Sequence, residues 1–413
     1  MSRRRRILTL CAILAGIGPT SRAEADVSIA EWNDGSGSFT LSGYVRSITG
    51  YHDLGYGEPL LEASRSLNMG VGRLEWNAEF GPDVRARIHD ELTWNVQSAS
   101  GGAAGGGLFG VDASRGSDRT VDLESTIVDE TGARLTHDVD RLAVDVYTEA
   151  VDLTLGRQGI TWGKASVFPV ADVWSRFSPF DLDTEKKSGI DAARALVYPN
   201  MNSELDLVVA DRGSLEDLSA GIRYASTVGR ADLYGAAGKF WNEILAMGGV
   251  SVVLERIKLR AEAVGPWKLE EREVALPRAT AGIEWFGTDF TLGSEYHFNG
   301  LGAASPSGYA AQLSSESYAR GESYLLGRHY AGIYGSYTGI PDVRMMLSAI
   351  GNLTDPSAIV SPTVRYDVAQ NASIGLGALL SAGGHPDLRA GPQFQSEFGA
   401  YGDFFYLELA AYY

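Results

Sequence analysis

Three cations two residues apart, Arg256, Lys258 and Arg260, would share one face of an extended chain, because alternate side chains point the same way. Such a ladder could pass an anion from one charge to the next. The alternative is a solvated wall whose cations pair with nearby carboxylates, and the same alternation places Arg85, Arg87, Glu91 and Arg223 on it. A second concentration of charge lies in Gly159–Asp191, where Lys164, Asp172, Arg176, Asp181, Asp183, Lys186 and Lys187 alternate with the aromatics Trp162, Trp174 and Phe180. Aromatic side chains in such a segment favour docking against a wall over standing in water. The charges would then form a polar constriction, with the three aromatics wedging the loop; a loop packed externally on its neighbours is the other reading.

Other chemistry is poorly represented. The six His include the adjacent pairs His52-Asp53, His89-Asp90 and His137-Asp138. Neighbours on a strand face opposite ways, which makes them poor metal-ligand pairs. No Gly-x-Ser-x-Gly elbow or phosphate-binding Walker loop is present. The expectation is no metal, no cofactor and no enzyme, although a group assembled from distant strands would leave no local motif.

The elements that would position these charges are strands. Val84–Val96 alternates with Val84, Ala86, Ile88, Leu92, Trp94 and Val96 on one face and Arg85, Arg87, His89, Glu91, Thr93 and Asn95 on the other. The same period recurs in about eighteen segments, with sixteen also arguable because 246–254 and 358–367 are weakly patterned. Short connections such as Gly81-Pro82-Asp83, Thr227–Gly229 and Gly287-Thr288-Asp289 alternate with long ones: 48–66, 97–130, 159–191, 265–276 and 299–327. That segregation predicts an all-β, transmembrane, antiparallel up-and-down barrel, with short periplasmic turns and long external loops. By this count 159–191 is the third external loop and folds into the lumen.

The ends of the chain agree with this. Arg3–Arg6, the apolar run Ile7–Gly18 and Ala23-Glu24-Ala25 form a cleavable export signal, too short to span a membrane. Its removal takes five Arg, one Glu and the lone Cys11, leaving a chain still more acidic than the formal charge of −17. Acidity on this scale argues against nucleic acid as a partner. The division expected is 1–25 signal, 26–38 periplasmic segment and 39–413 one barrel. At the other end Phe405, Leu407, Leu409 and Tyr413 share a face, which resembles the terminal signal read by the barrel assembly machinery.

Leu155-Gly156-Arg157-Gln158, Trp162-Gly163, Asp172 and Pro179-Phe180-Asp181 together resemble a pattern in Gram-negative outer-membrane proteins of the porin-like and alginate-export-like type, many of whose members are uncharacterised. Alginate exporters imply an 18-stranded barrel with an arginine-rich pore for a polyanion. This chain departs from that in its net negative charge and mixed lumen set. The leading expectation is an outer-membrane channel, surrounded by lipid, that passes a small polar or charged solute by diffusion or export. A plugged barrel serving as surface scaffold is the alternative, and a barrel-embedded hydrolase a third. Solute and oligomeric state are left open. Strict alternation would turn Arg157 toward lipid beside Leu153 and Leu155, so the strand must end or bulge there.

Overall fold

The computed structural model describes residues 27–31, 37–56, 64–98, 119–175, 187–213, 217–386 and 393–413. Eighteen antiparallel strands form one ring. They are β1 (Gly37–Asp53), β2 (Ser64–Phe80), β3 (Val84–Gln97), β4 (Ala133–Tyr147), β5 (Val151–Gln158) and β6 (Ile190–Asn200). Next come β7 (Ser203–Ala210), β8 (Ser219–Val228), β9 (Ala231–Phe240), β10 (Glu243–Leu254), β11 (Ile257–Lys268) and β12 (Arg278–Phe286). The ring is completed by β13 (Phe290–Asn299), β14 (His329–Ile340), β15 (Val343–Asn352), β16 (Ser357–Ala369), β17 (Ala372–Ala382) and β18 (Asp403–Tyr412). Each strand pairs with its successor, and β1 closes on β18 from Tyr44 opposite Tyr412 to Asp53 opposite Asp403. Closure leaves no strand edge in the spanning region, the condition hydrocarbon imposes on a sheet.

Eighteen is the larger of the two expected counts, and the weakly patterned segments are full strands. In β10 the inward Leu245 and Met247 are as buried as core residues. With apolar residues on both faces, the alternation that marks a half-wet strand disappears. In β16, Ile359 has the same effect.

The two faces differ as two solvents require. Outward-pointing Leu155, Leu292, Leu347 and Leu376 are each more than half exposed, while inward-pointing Arg73, Glu91, Asp145, Asp206 and Glu295 are buried. Exposed leucines in a continuous belt suit acyl chains, and an Arg on that belt would cost roughly 2–4 kcal/mol at the midplane. Phe39 stacks on Trp76 and Trp285 lies against Phe290 near the short-turn end of the outer face. On the last strand Phe405, Leu407 and Leu409 face outward. The Tyr413 ring covers Gly43, its hydroxyl donating to the Arg73 carbonyl at 2.9 Å.

Pieces outside the ring were not foreseen. The strand Val27–Glu31 pairs with Ser38–Leu41 of β1, on the edge that β18 does not reach. The strand Ser125–Glu130 pairs with the external end of β4. Two short helices, α1 (Tyr309–Leu313) and α2 (Glu316–Ala319), lie in the loop between β13 and β14.

Two irregularities resolve the parity conflict near Arg157. Gly156 adopts φ 113°, and Arg157 turns into the barrel with 1% of its surface exposed while Leu155 stays outside. Across the pair, the register with β3 slips so that Asp140 has no partner opposite, which lets the successive residues Asp140 and Arg141 both point inward. A Cβ at position 156 would sit 2.1 Å from the Leu142 carbonyl oxygen. Gly156→Val should therefore destabilise the barrel by about 1–3 kcal/mol. The expected readout is a lowered urea midpoint for the folded, fast-migrating species on unheated gels; an unchanged midpoint would show the bulge is not strained.

Candidate functional site

The segment after β5 turns inward and follows the wall strand by strand. Ile160, Trp162, Val170, Val173 and Trp174 enter one apolar cluster with Val208 of β7, Phe240 of β9, Leu245 and Met247 of β10 and Val264 of β11. The two indoles meet edge to face at 5.2 Å, and Trp174 packs on Phe240 at 4.6 Å. Gly221 of β8 makes room for them, since a Cβ there would be 2.8 Å from the Trp162 ring. Trp162 Nε1 donates to Asp206 at 2.8 Å, a carboxylate that also takes a two-pronged pair from Arg194.

Farther round the wall the loop is held by its backbone. Glu262 accepts from the amides of Lys164 at 2.7 Å and Ala171 at 3.3 Å, and from the Tyr234 hydroxyl at 3.1 Å. Glu295 accepts from the amides of Ser166, Val167 and Phe168 at 2.7, 2.8 and 3.1 Å. Thr280 donates to the Phe168 carbonyl at 2.8 Å. Arg260 ties these together through the Lys164 carbonyl, the Ser166 hydroxyl and the carboxylates of Glu284 and Glu295. The Phe168 ring stacks on His297 at 5.0 Å and reaches Tyr330 of β14 at 6.2 Å. The loop thus lines the inner wall from β7 to β14.

A second inward segment covers much of the rest. In 393–402, between β17 and β18, Phe398 and Tyr401 cluster with Ile48 of β1, Leu67 and Met69 of β2, Tyr330, Ile350, Ile359 and Leu379. Loop lengths and aromatic content predict entry into the lumen for 159–191 alone, whereas the connection between β17 and β18 enters it too. Its signal was the inward Ile48, Leu67, Met69 and Ile359, apolar residues on a face that otherwise carries charge.

The charged wall lies on β2 to β6. Arg73 meets Glu75 at 2.7 Å, Asp140 at 2.9 Å and Glu91 at 3.0 Å. Arg87 pairs with Asp145 at 2.7 Å, and Arg141 with Asp140 at 2.5 Å. Arg119, on the returning second external segment, reaches Asp138 at 2.6 Å and the Gly189 carbonyl at 3.0 Å. Arg157 bonds Asp191 at 2.8 Å and the Val139 carbonyl at 2.9 Å. These contacts fix both the second external segment and the base of the loop after β5.

The expected site residues fall into distinct places. Lys164 lies on the inward loop, half-exposed, with no ion pair among the described residues. Asp172 does not face the pore: it is fully buried, accepts from the Trp162 amide at 3.2 Å and pairs with Lys187, folding the loop onto itself. Trp162 and Trp174 dock the loop, whereas Arg176, Phe180, Asp181, Asp183 and Lys186 lie outside the described residues. Glu91 belongs to the Arg73 cluster, Arg223 pairs with Glu204 at 3.1 Å, and Arg85 pairs with Glu79 at 3.5 Å near the short turns. The basic ladder is corrected at its first rung. Arg256 is exposed in the turn joining β10 to β11, next to Glu255 at φ 53°, because the hairpin reverses there. Lys258 stands on the inner face, and Arg260 is consumed by its carboxylates.

No family model and no curated protein matches the chain. Solved structures match its fold. Pseudomonas aeruginosa OccD3 (OpdP) superposes with a TM-score of 0.52 at 8% identity, over 97% of each chain. OccK9 (OpdG) of the same bacterium gives 0.56 at 10%, over 91% of this chain and 97% of that one. P. aeruginosa OpdK with vanillate gives 0.53 at 9%, over 90% and 98%.

The anchoring carboxylates can be tested directly. Glu295→Ala orphans three amides, each worth about 1–3 kcal/mol when buried without an acceptor. The folded barrel should persist while protease cuts within 159–175 appear at least tenfold faster than in the wild type. Equal cutting rates would mean the apolar contacts alone hold the loop.

Proposed function

We propose that the chain is an outer-membrane channel that passes small polar or charged solutes by diffusion, its selectivity set by the loop after β5 and the lumen charges. The observation that carries this reading is the loop's course. It lies along the wall from β7 to β14, fixed by Glu262 and Glu295, so it narrows the lumen by thickening one side. Aqueous pores discriminate by radius and lining charge, and this arrangement supplies both. The reading requires no cofactor.

Charge pairing favours a porin-like channel over export of a polyanion such as alginate. Arg73, Arg87, Arg119, Arg141, Arg157, Arg194, Arg223, Arg260 and Arg365 each meet a carboxylate. An arginine so paired offers a polyanion little net attraction at a distance of several ångströms. Lys164 and Lys258 lack such a partner among the described residues and give the lumen a weak local preference for anions. Vanillate, held by the structural neighbour OpdK, is a sensible member of a first solute panel.

Planar-bilayer recordings of the mature chain should give stepwise currents, and deleting Lys164–Asp183 should raise the conductance at least twofold. Silent bilayers would favour a plugged scaffold, and unchanged conductance would remove the constriction role. Lys164→Glu should shift the reversal potential in a salt gradient toward cations while leaving unitary conductance within about a factor of two.

A further inference from the structure

Where the two inward segments meet the external loops, the structure builds a buried acidic junction that plays no part in lining the pore. Glu397, in the segment before β18, has no exposed surface. Its carboxylate accepts from the Leu326 amide at 2.9 Å, from Asn352 Nδ2 at 2.7 Å and from the Tyr330 hydroxyl. Asp355, in the turn after β15, accepts from the Glu397 amide at 2.7 Å, the Tyr309 hydroxyl of α1 at 2.7 Å and the Ser357 hydroxyl at 2.5 Å. The Tyr330 hydroxyl accepts in turn from the Gly327 amide at 2.5 Å. Four separate pieces of chain therefore converge: segment 393–402, the end of the β13–β14 loop, its helix α1, and the β15–β16 turn.

Two carboxyl groups share this junction, and among the described residues no cation pairs with either. The neighbouring arginines are engaged elsewhere: Arg278 lies 4.0 Å from Glu322, Arg320 pairs with Glu316 at 3.0 Å and Arg328 donates to the Gly302 carbonyl at 3.2 Å. The other groups facing Glu397 are the phenols of Tyr309, Tyr318, Tyr330 and Tyr401, none of which brings positive charge. The junction is also coupled to the loop after β5. Phe168 touches Tyr330, and Tyr330 meets Phe398, the residue next to Glu397, at 6.3 Å.

We propose that the Glu397 junction is a proton-controlled latch that holds segment 393–402 folded into the barrel mouth, so that acid on the loop side of the membrane keeps the channel in a narrow state and alkali releases it. This rests on the channel reading above and adds its regulation. The chemistry runs through the carboxyl's two environments. Burial outweighs the three donors and raises the latched carboxyl from 4.5 to about 7. Once the segment swings out, water returns the group to the ordinary carboxylate range. The latched form therefore holds its proton more tightly than the released one. Latching is fully favoured below the ordinary value and is progressively lost as pH rises toward about 7. Across that window the ratio of latched to released forms changes by up to about 300-fold, tenfold for each pH unit.

The test uses the full mature chain in planar bilayers, with pH varied from 8 to 5 on the loop side alone. The wild type should spend at least tenfold more time at a smaller conductance level at the acid end. Glu397→Gln, which keeps the shape and removes the charge, should sit at that smaller level throughout with a flat titration. Tyr330→Phe removes one donor to the anion and should move the midpoint to higher pH. A wild type indifferent to pH would overturn the latch, as would a Glu397→Gln channel that titrates like the wild type. Absence of current from every variant at every pH would instead overturn the channel reading beneath it. Heat-shifted migration on gels confirms that each variant is folded before its currents are compared.

Discussion

Backbone that leaves a sheet inside a narrow barrel carries its amides away from the ladder that satisfied them, and each needs an acceptor. Most of the interior follows from how that need is met. The loop after β5 takes its acceptors from the opposite side of the wall: Glu262 and Glu295 gather five of its amides between them. A carboxylate suits this task because it offers several lone pairs and donates nothing when ionised. Placing these two on β11 and β13 sets the loop's reach, and its reach determines which wall residues are covered. The apolar inward residues of β7 to β11 are then buried by it, and their presence follows from its docking.

The inner charges divide in the same manner. On β2 to β6 the wall instead carries arginines and carboxylates that interlock at close range, several of them sharing partners around Asp140. Leaving one member of such a buried set alone is strongly unfavourable, so the cluster forms as a unit or not at all. It also draws in Arg119 and the Gly189 carbonyl, so the bulges at Gly156 and Asp140 have a structural role. They turn charged residues inward that strict alternation would have divided between lipid and lumen.

The ring was largely legible in the sequence because a barrel's two solvents write themselves into alternate residues, and β3, with Ile88 and Leu92 facing out and Arg87 and Glu91 facing in, is the plain case. The segregation of short turns from long loops supplied the topology. What could not be read was tertiary. Asp172 looked like any other loop charge, and only the fold sets it beside Lys187 and the Trp162 amide. Arg256 has the spacing of a ladder rung, and period alone does not reveal where a hairpin reverses. Glu397 and Asp355 were invisible as a pair, being 42 residues apart on segments with no periodicity. The inward turn of 393–402 left a trace in Ile48, Leu67 and Ile359, which only makes sense once something apolar is known to lie over them.

The short strand Val27–Glu31 gives the first described residues a place in the sheet. β1 extends below the last residue of β18, and this strand lies along the part left over. At its base the closure of the ring is consequently a three-stranded splice in which the first and last parts of the sheet share one central strand. Residues 27–31 are thus part of the sheet, and breaking this strand would bare the edge of β1 that β18 leaves uncovered.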